Sequence, residues 1–252
     1  MKIKLTRKIF IPYIYLLFFA GCISETKQEP KLPDISTIIP DSVDVFIKII
    51  PVKSELALYL ESLGLVDIKT IDNTIAVDLI YSMSENFTGQ ILYDGLTEAY
   101  FQPEVAVMLV TAQILLNDTL PGAKLLIYDA ARPLSVQKLM WEKVKNTPFK
   151  NYVANPQRTG LHNYGAAVDL TIIDKHGVPL DMGTPVDYFG KAAGNYDKIL
   201  IQEGLITQQH SQNRQLLRTI MKKAGFSSIY GEWWHFNACS LAEAKQKYNI
   251  IE

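Results

Sequence analysis

The chain predicts an α+β fold: a single domain with helices packed around a small, mostly antiparallel sheet. Three observations carry this. Short stretches alternate apolar with other residues, as half-buried strands do, while longer stretches repeat apolar residues every three or four positions, as one helix face does. No internal repeat and no second domain boundary interrupts them.

Taken in order, Ile75, Val77, Leu79 and Tyr81 alternate with a second set and read as a strand. Pro103 opens a helix, since a first helical position has no use for an N–H, and Val105, Met108, Leu109, Ala112 and Leu116 follow at helical spacing. Lys124 to Tyr128 reads as a strand that delivers Arg132 to its end, followed by a helix from about Leu134 to Lys145. Ala167 to Ile173 is a second such strand. A helix over Gln212 to Ala224 presents Leu216, Leu217, Ile220 and Met221 on one face, has Lys222 and Lys223 in its last turn and stops at Gly225. Glu232 to Phe236 supply the final strand.

A chain of 252 residues can bury enough apolar surface to hold one domain without staples. Its formal charge of −1 and the lack of a long basic run give no reason to expect a nucleic-acid partner.

The N-terminus points to export. Lys2, Lys4, Arg7 and Lys8 precede an apolar stretch from Ile9 to Phe19, too short for a bilayer span, which takes about 20 residues. It ends in Phe19-Ala20-Gly21-Cys22, which resembles a bacterial lipoprotein cleavage site with Cys22 as the lipidated first residue; the other reading is an ordinary signal peptide cut elsewhere. Residues 1–21 are thus expected to be a lipoprotein signal peptide. Residues 22–40, polar and proline-bearing, read as a tether of roughly 60 Å at about 3.3 Å per residue when extended. Residues 41–252 then form the domain. With Cys22 acylated, only Cys239 remains as a thiol, so no intramolecular disulfide is expected. Membrane association would come from the acyl chains, about 0.8 kcal/mol per buried methylene.

Two segments carry the chemistry: His162-Asn-Tyr-Gly-Ala-Ala-Val-Asp169 and Glu232-Trp-Trp-His235. Together they offer two imidazoles, one ligating carboxylate and one spare carboxylate, the set a catalytic zinc needs when its fourth position is left to water. Two neutral histidines and one aspartate leave Zn²⁺ a formal charge of about +1, enough to draw the pKa of a bound water towards about 7. Glu232 lies near in sequence to His235 and could move the proton. Residues three apart in a strand face opposite ways, so a twist, bulge or turn at Trp233-Trp234 is required to aim both inward.

These segments, with Tyr128-Asp129-Ala130-Ala131-Arg132-Pro133 and Glu85-Asn86-Phe87-Thr88-Gly89, resemble the D-Ala-D-Ala dipeptidases of the VanX type, a zinc peptidase family. The likeness runs from about Val77 to Phe236 with the four motifs in order. It implies one Zn²⁺ held by His162, Asp169 and His235, with Glu232 as acid/base. It also implies that Arg132 polarises the scissile carbonyl and holds the oxyanion, and that Asp187 meets the substrate's ammonium. The family commonly has a serine where this chain has Gly160, so a hydroxyl contact to the dipeptide's amino end is expected to be missing.

Bland readings exist beside these. Arg132 could simply pair with Asp129, Trp233 and Trp234 read as core packing and pocket wall, His176 as a turn residue, and His210 as a helix-start or rim residue. The expectation is an exported, lipid-anchored zinc dipeptidase of the bacterial cell envelope. It would cleave D-Ala-D-Ala in peptidoglycan turnover or salvage, because an enzyme outside the cytoplasm cannot lower the cytoplasmic dipeptide pool. The alternatives are a murein carboxypeptidase or endopeptidase acting on longer stem peptides, and a non-catalytic cell-wall-binding lipoprotein.

Overall fold

A computed structural model describes residues 52–252; the expected signal peptide, Cys22 and the tether lie outside the described residues. Among the described residues the chain runs through α1 (Glu55–Ser62), β1 (Val66–Asp67), α2 (Ile68–Ile71), β2 (Ala76–Val77), β3 (Tyr100–Phe101), α3 (Pro103–Thr119), β4 (Lys124–Asp129) and α4 (Leu134–Val144). It continues through β5 (Ala167–Ile173), α5 (Asp197–Gln202), α6 (Gln208–Lys223), β6 (Ser227–Ser228), β7 (His235–Asn237) and α7 (Leu241–Lys247). No helix among them is long and apolar enough to cross a membrane.

The main sheet has the order β2-β4-β5-β7-β6, antiparallel except where β2 runs parallel to β4; β1 and β3 form a separate antiparallel pair. The α+β expectation therefore holds. Every residue of β5 is buried, which means that both faces of this central strand are covered. Leu125, Ile127, Val168, Leu170 and Ile172 are wholly enclosed, each such side chain contributing about 1.5–3 kcal/mol by leaving water. Helix α3 packs against both β4 and α6 and buries Val105, Ala106, Leu109, Ala112 and Leu116, the stripe its spacing predicts except that Ala106 is enclosed and Met108 only partly buried.

Three elements differ from expectation. The strand expected over Ile75 to Tyr81 is only Ala76–Val77, because its pairing with β4 stops at Val77↔Ile127 and the chain turns in a 3₁₀ turn at Ile80–Ser82. The alternation there reflects burial of Ile75, Leu79 and Tyr81 without strand geometry. Helix α6 begins at Gln208, four residues early: Thr207 Oγ1 accepts from His210 N–H, and His210 Nδ1 accepts from Thr207 N–H, each at 3.2 Å. Its first turns bury the polar Ser211 and Arg214 and so carry no apolar period. The last strand starts at His235, not Glu232, since the chain bends at Trp233 and Trp234. His176 sits in a turn and His210 near the start of α6, as read from the sequence.

Candidate active site

The sheet register assembles the site. Asp129 on β4 lies opposite Asp169 on β5, after a bulge between Ile127 and Asp129, and Asp169 lies opposite His235 on β7. A row of polar side chains thus crosses three strands at one point. His162 arrives from a 3₁₀ turn, Leu161–Tyr164, which closes on Gly165 in the left-handed region at φ 64°. The turn is fastened to the end of β4: Arg132 N–H donates to His162 O at 2.9 Å and Asn163 Nδ2 donates to Arg132 O at 2.9 Å.

Gly165 is needed for its backbone and its space alike. A Cβ there would lie 2.8 Å from Leu65 Cδ2 and 3.3 Å from Gln102 N. An alanine also carries about 1–2 kcal/mol of left-handed strain. Gly165→Ala is therefore expected to cost at least about 2 kcal/mol, read as a melting temperature lower by about 4 °C or more. A wild-type melt would show that this turn is not fixed as described.

His162 Nε2 stands 3.4 Å from Asp169 Oδ2 and 3.2 Å from His235 Nδ1, and His235 Nδ1 stands 2.9 Å from Asp169 Oδ1. The outer ring nitrogens have acceptors of their own: His162 Nδ1 faces Ala130 O at 2.7 Å and His235 Nε2 faces Asn237 Oδ1 at 2.7 Å. If each outer nitrogen donates its proton there, both inner nitrogens present lone pairs to each other and to a carboxylate. Such a convergence of acceptors is satisfied by a cation. Ligands about 2.0–2.2 Å from a tetrahedral ion lie about 3.3–3.6 Å apart, close to the separations observed, so the residues fit a zinc ion. Burial alone would raise the Asp169 carboxyl, but the two facing imidazoles hold it well below the usual carboxylate range.

The trio opens into a cavity of about 160 Å³ whose wall also includes Glu232, Arg132, Asp187, Tyr81 and Trp234. The bend at Trp233-Trp234 turns Glu232 to the same cavity as His235, the geometry that a straight strand would forbid. Burial, reinforced by the charges of Asp169 and Asp187, pushes the Glu232 carboxyl up to about 7 despite the opposing pull of His235.

Arg132 does pair with Asp129, through Nε at 2.9 Å and through Nη2, while Nη1 donates to Gln137 Oε1 at 2.8 Å. A guanidinium has five N–H bonds, so one hydrogen on each terminal nitrogen stays uncommitted on a side chain that lines the cavity. The pairing and a role at the cavity are compatible.

Asp187 holds a left-handed backbone, φ 60°, and accepts from Tyr81 Oη at 2.6 Å. Burial and the nearby Asp169 raise its carboxyl to about 7, against the lowering effect of the Tyr81 hydroxyl and Arg132. At Gly160 a Cβ would meet Ala154 Cβ at 3.2 Å, so a serine there would require Ala154 to give way by a few tenths of an ångström.

Sequence reasoning did not single out Tyr81, Gln137 or Asn237. Asn237 carried a usable signal, lying two residues after His235 on the same face of one strand. Tyr81 carried none, as it meets Asp187 only through the tertiary fold, and Gln137, although five residues after Arg132, has nothing to set it apart from the other polar residues of α4.

Two imidazoles and a carboxylate converging on one point, with a further carboxylate and a guanidinium around a small cavity, define the site of a hydrolytic enzyme with room for a metal. The chain belongs to the D-ala-D-ala dipeptidase family, whose model matches residues 61–251, and is accordingly a peptidase. It is similar to the D-alanyl-D-alanine dipeptidase of Escherichia coli (strain K12), 31% identical over 172 residues that cover 68% of this chain and 83% of that one. The protein of the same name from Synechocystis sp. is 29% identical over 180 residues, covering 58% and 71%. The one from Enterococcus faecalis is 29% identical over 175 residues, covering 63% and 83%.

Proposed function

We propose that this chain is a zinc-dependent D-alanyl-D-alanine dipeptidase, exported and lipid-anchored at Cys22, that hydrolyses D-Ala-D-Ala to two D-alanines in peptidoglycan turnover or salvage. The observation that carries the substrate reading is the cavity. At about 160 Å³ it is small beside the ~300–1,000 Å³ of sites that take drug-sized ligands, so it suits a dipeptide better than a longer stem peptide. Relatives named for the same activity support it. Export and anchoring rest on the sequence from Lys2 to Cys22.

Held by His162, Asp169 and His235, zinc would supply Lewis acidity at the carbonyl and at the attacking water. Glu232 takes a proton from that water and returns one to the leaving amine nitrogen as the C–N bond breaks. The free N–H groups of Arg132 meet the carbonyl oxygen as its negative charge grows, and Asp129 and Gln137 hold the guanidinium still for that task. Asp187, fixed by Tyr81, pairs with the substrate's ammonium.

The zinc-loaded domain should therefore cleave D-Ala-D-Ala and leave longer muropeptides largely intact; cleavage of the longer peptides alone would move the assignment to a murein carboxypeptidase. Asp187→Asn keeps the Tyr81 contact and tolerates the left-handed backbone while removing the charge. It should lower kcat/KM on the free dipeptide by about 10²-fold, in line with the 2–5 kcal/mol that losing one partner of a buried charge pair costs. An N-acetylated dipeptide, which has no ammonium, should lose far less. Equal losses on both substrates would show that Asp187 does not read the amino end.

A further inference from the structure

Glu232 stands outside any strand, on residues 229–232 between β6 and β7, where no sheet ladder fixes it. Among the described residues, three hydrogen bonds tie the carbonyls of this turn to Asn195. Its Nδ2 donates to Ile229 O at 2.7 Å and to Glu232 O at 2.8 Å, and its backbone N–H donates to Tyr230 O at 2.8 Å. One half-buried side chain and its own peptide thus take three of the turn's four carbonyls.

Asn195 is itself oriented. Arg218 Nη1 donates to its Oδ1 at 2.9 Å, which forces the amide NH₂ towards the turn, and Arg218 Nη2 is held by Asp197 Oδ2 at 2.5 Å. The segment before it is equally fixed. Arg214, fully enclosed, donates to Met182 O at 2.6 Å, Ala192 O at 2.9 Å and Gly194 O at 3.2 Å. On the far side of Glu232, Trp233 N–H donates to Ala193 O at 2.9 Å, and its ring nitrogen to Thr184 Oγ1 at 2.9 Å. Asp187 lies within that same 182–194 segment, so the turn bearing Glu232 and the segment bearing Asp187 share one frame.

We infer that Asn195, oriented by Arg218, is a positioning residue that sets where the Glu232 carboxylate stands relative to the substrate. The inference rests on Glu232 moving the proton in the proposed reaction. The two N–H bonds from one amide hold the carbonyls at positions 229 and 232, so removing them loosens the turn at both ends, leaving the backbone bond to Tyr230 O, without touching the metal-binding trio.

Asn195→Ala and the isosteric Asn195→Asp, which cannot donate, should each lower kcat by about 10²-fold, the scale of a 1 Å misplacement, with KM and zinc content as in wild type. The same changes made in a Glu232→Gln background should have no further effect, because the group they position is already gone. Arg218→Met leaves the amide in place but unoriented, and should give a smaller loss that also vanishes in that background. Melting curves and zinc content of every variant establish that the chains compared are folded. An equal loss in both backgrounds, a loss that tracks zinc, or wild-type kcat in folded variants would overturn the role of Asn195. If both Asn195 variants fail to fold, Arg218→Met alone decides, and a loss that persists without Glu232 overturns it. Should wild type itself not cleave the dipeptide, it is the proposed function that fails, an outcome distinct from an active wild type with indifferent Asn195 variants.

Discussion

His162→Ala, Asp169→Ala and His235→Ala should each strip the chain of stoichiometric zinc and reduce dipeptide hydrolysis to background. Three protein ligands leave no redundancy, and the outer contacts to Ala130 O and Asn237 Oδ1 orient each imidazole for a single site. Asp169→Ala should be the most severe for the fold as well, since it removes the carboxylate facing both rings from a buried strand. Metal analysis beside turnover checks this. Full zinc content in any of the three variants would remove that residue from the site.

Glu232→Gln separates the proton transfer from metal binding. It should retain zinc and lose about 10²–10⁴-fold in kcat, the range that loss of general acid–base catalysis produces. Turnover near the wild-type rate would leave Glu232 without a chemical role. The sign of the pH dependence follows from its raised carboxyl. A base must be ionised to accept a proton, so wild-type kcat/KM should fall as pH drops, with the acid limb at or below about 7 because a cation beside Glu232 favours its ionised form.

The metal-free fold should show the same carboxyls in its stability. Glu232 and Asp187 are both raised to about 7 from 4.5 and 3.8. Folding then takes up protons between about pH 4 and 7, so their stabilisation is complete below that window and is lost as pH rises through it. Melting of the chelated protein should fall across this interval, and Glu232→Gln or Asp187→Asn should flatten the slope. A stability that instead rises from pH 4 to 7 in all three chains would contradict these environments.

Much of this arrangement was legible in the sequence. The long segments with a clean period, α3, β4 and β5, lie where apolar spacing places them, and the four motifs name the residues that the sheet and its loops bring together. What stayed hidden depends on partners distant in the chain. Tyr81 reads as one member of an alternating run, yet it lies 106 residues from the Asp187 it meets. Asn195 lies in an unpatterned stretch, and its bonds reach 34 and 37 residues onward. The first four residues of α6, Gln208 to Ser211, escaped notice because all are polar, Ser211 buried among them, and offer no apolar residue from which a helical period is read. Polar burial of this kind leaves no periodic trace.

The row of Asp129, Asp169 and His235 across three strands has a consequence for how the molecule reaches its folded state. Side chains on a strand alternate between faces, so a slip of one residue between β5 and β7 turns His235 away from Asp169. β7 is three residues long, and its few pairs discriminate weakly among registers by themselves. Metal binding adds its free energy to the correct register and to no other. If zinc is the ligand, the ion that serves the reaction also proofreads strand pairing, and a chain that misaligned its last strands would reveal itself by failing to hold metal.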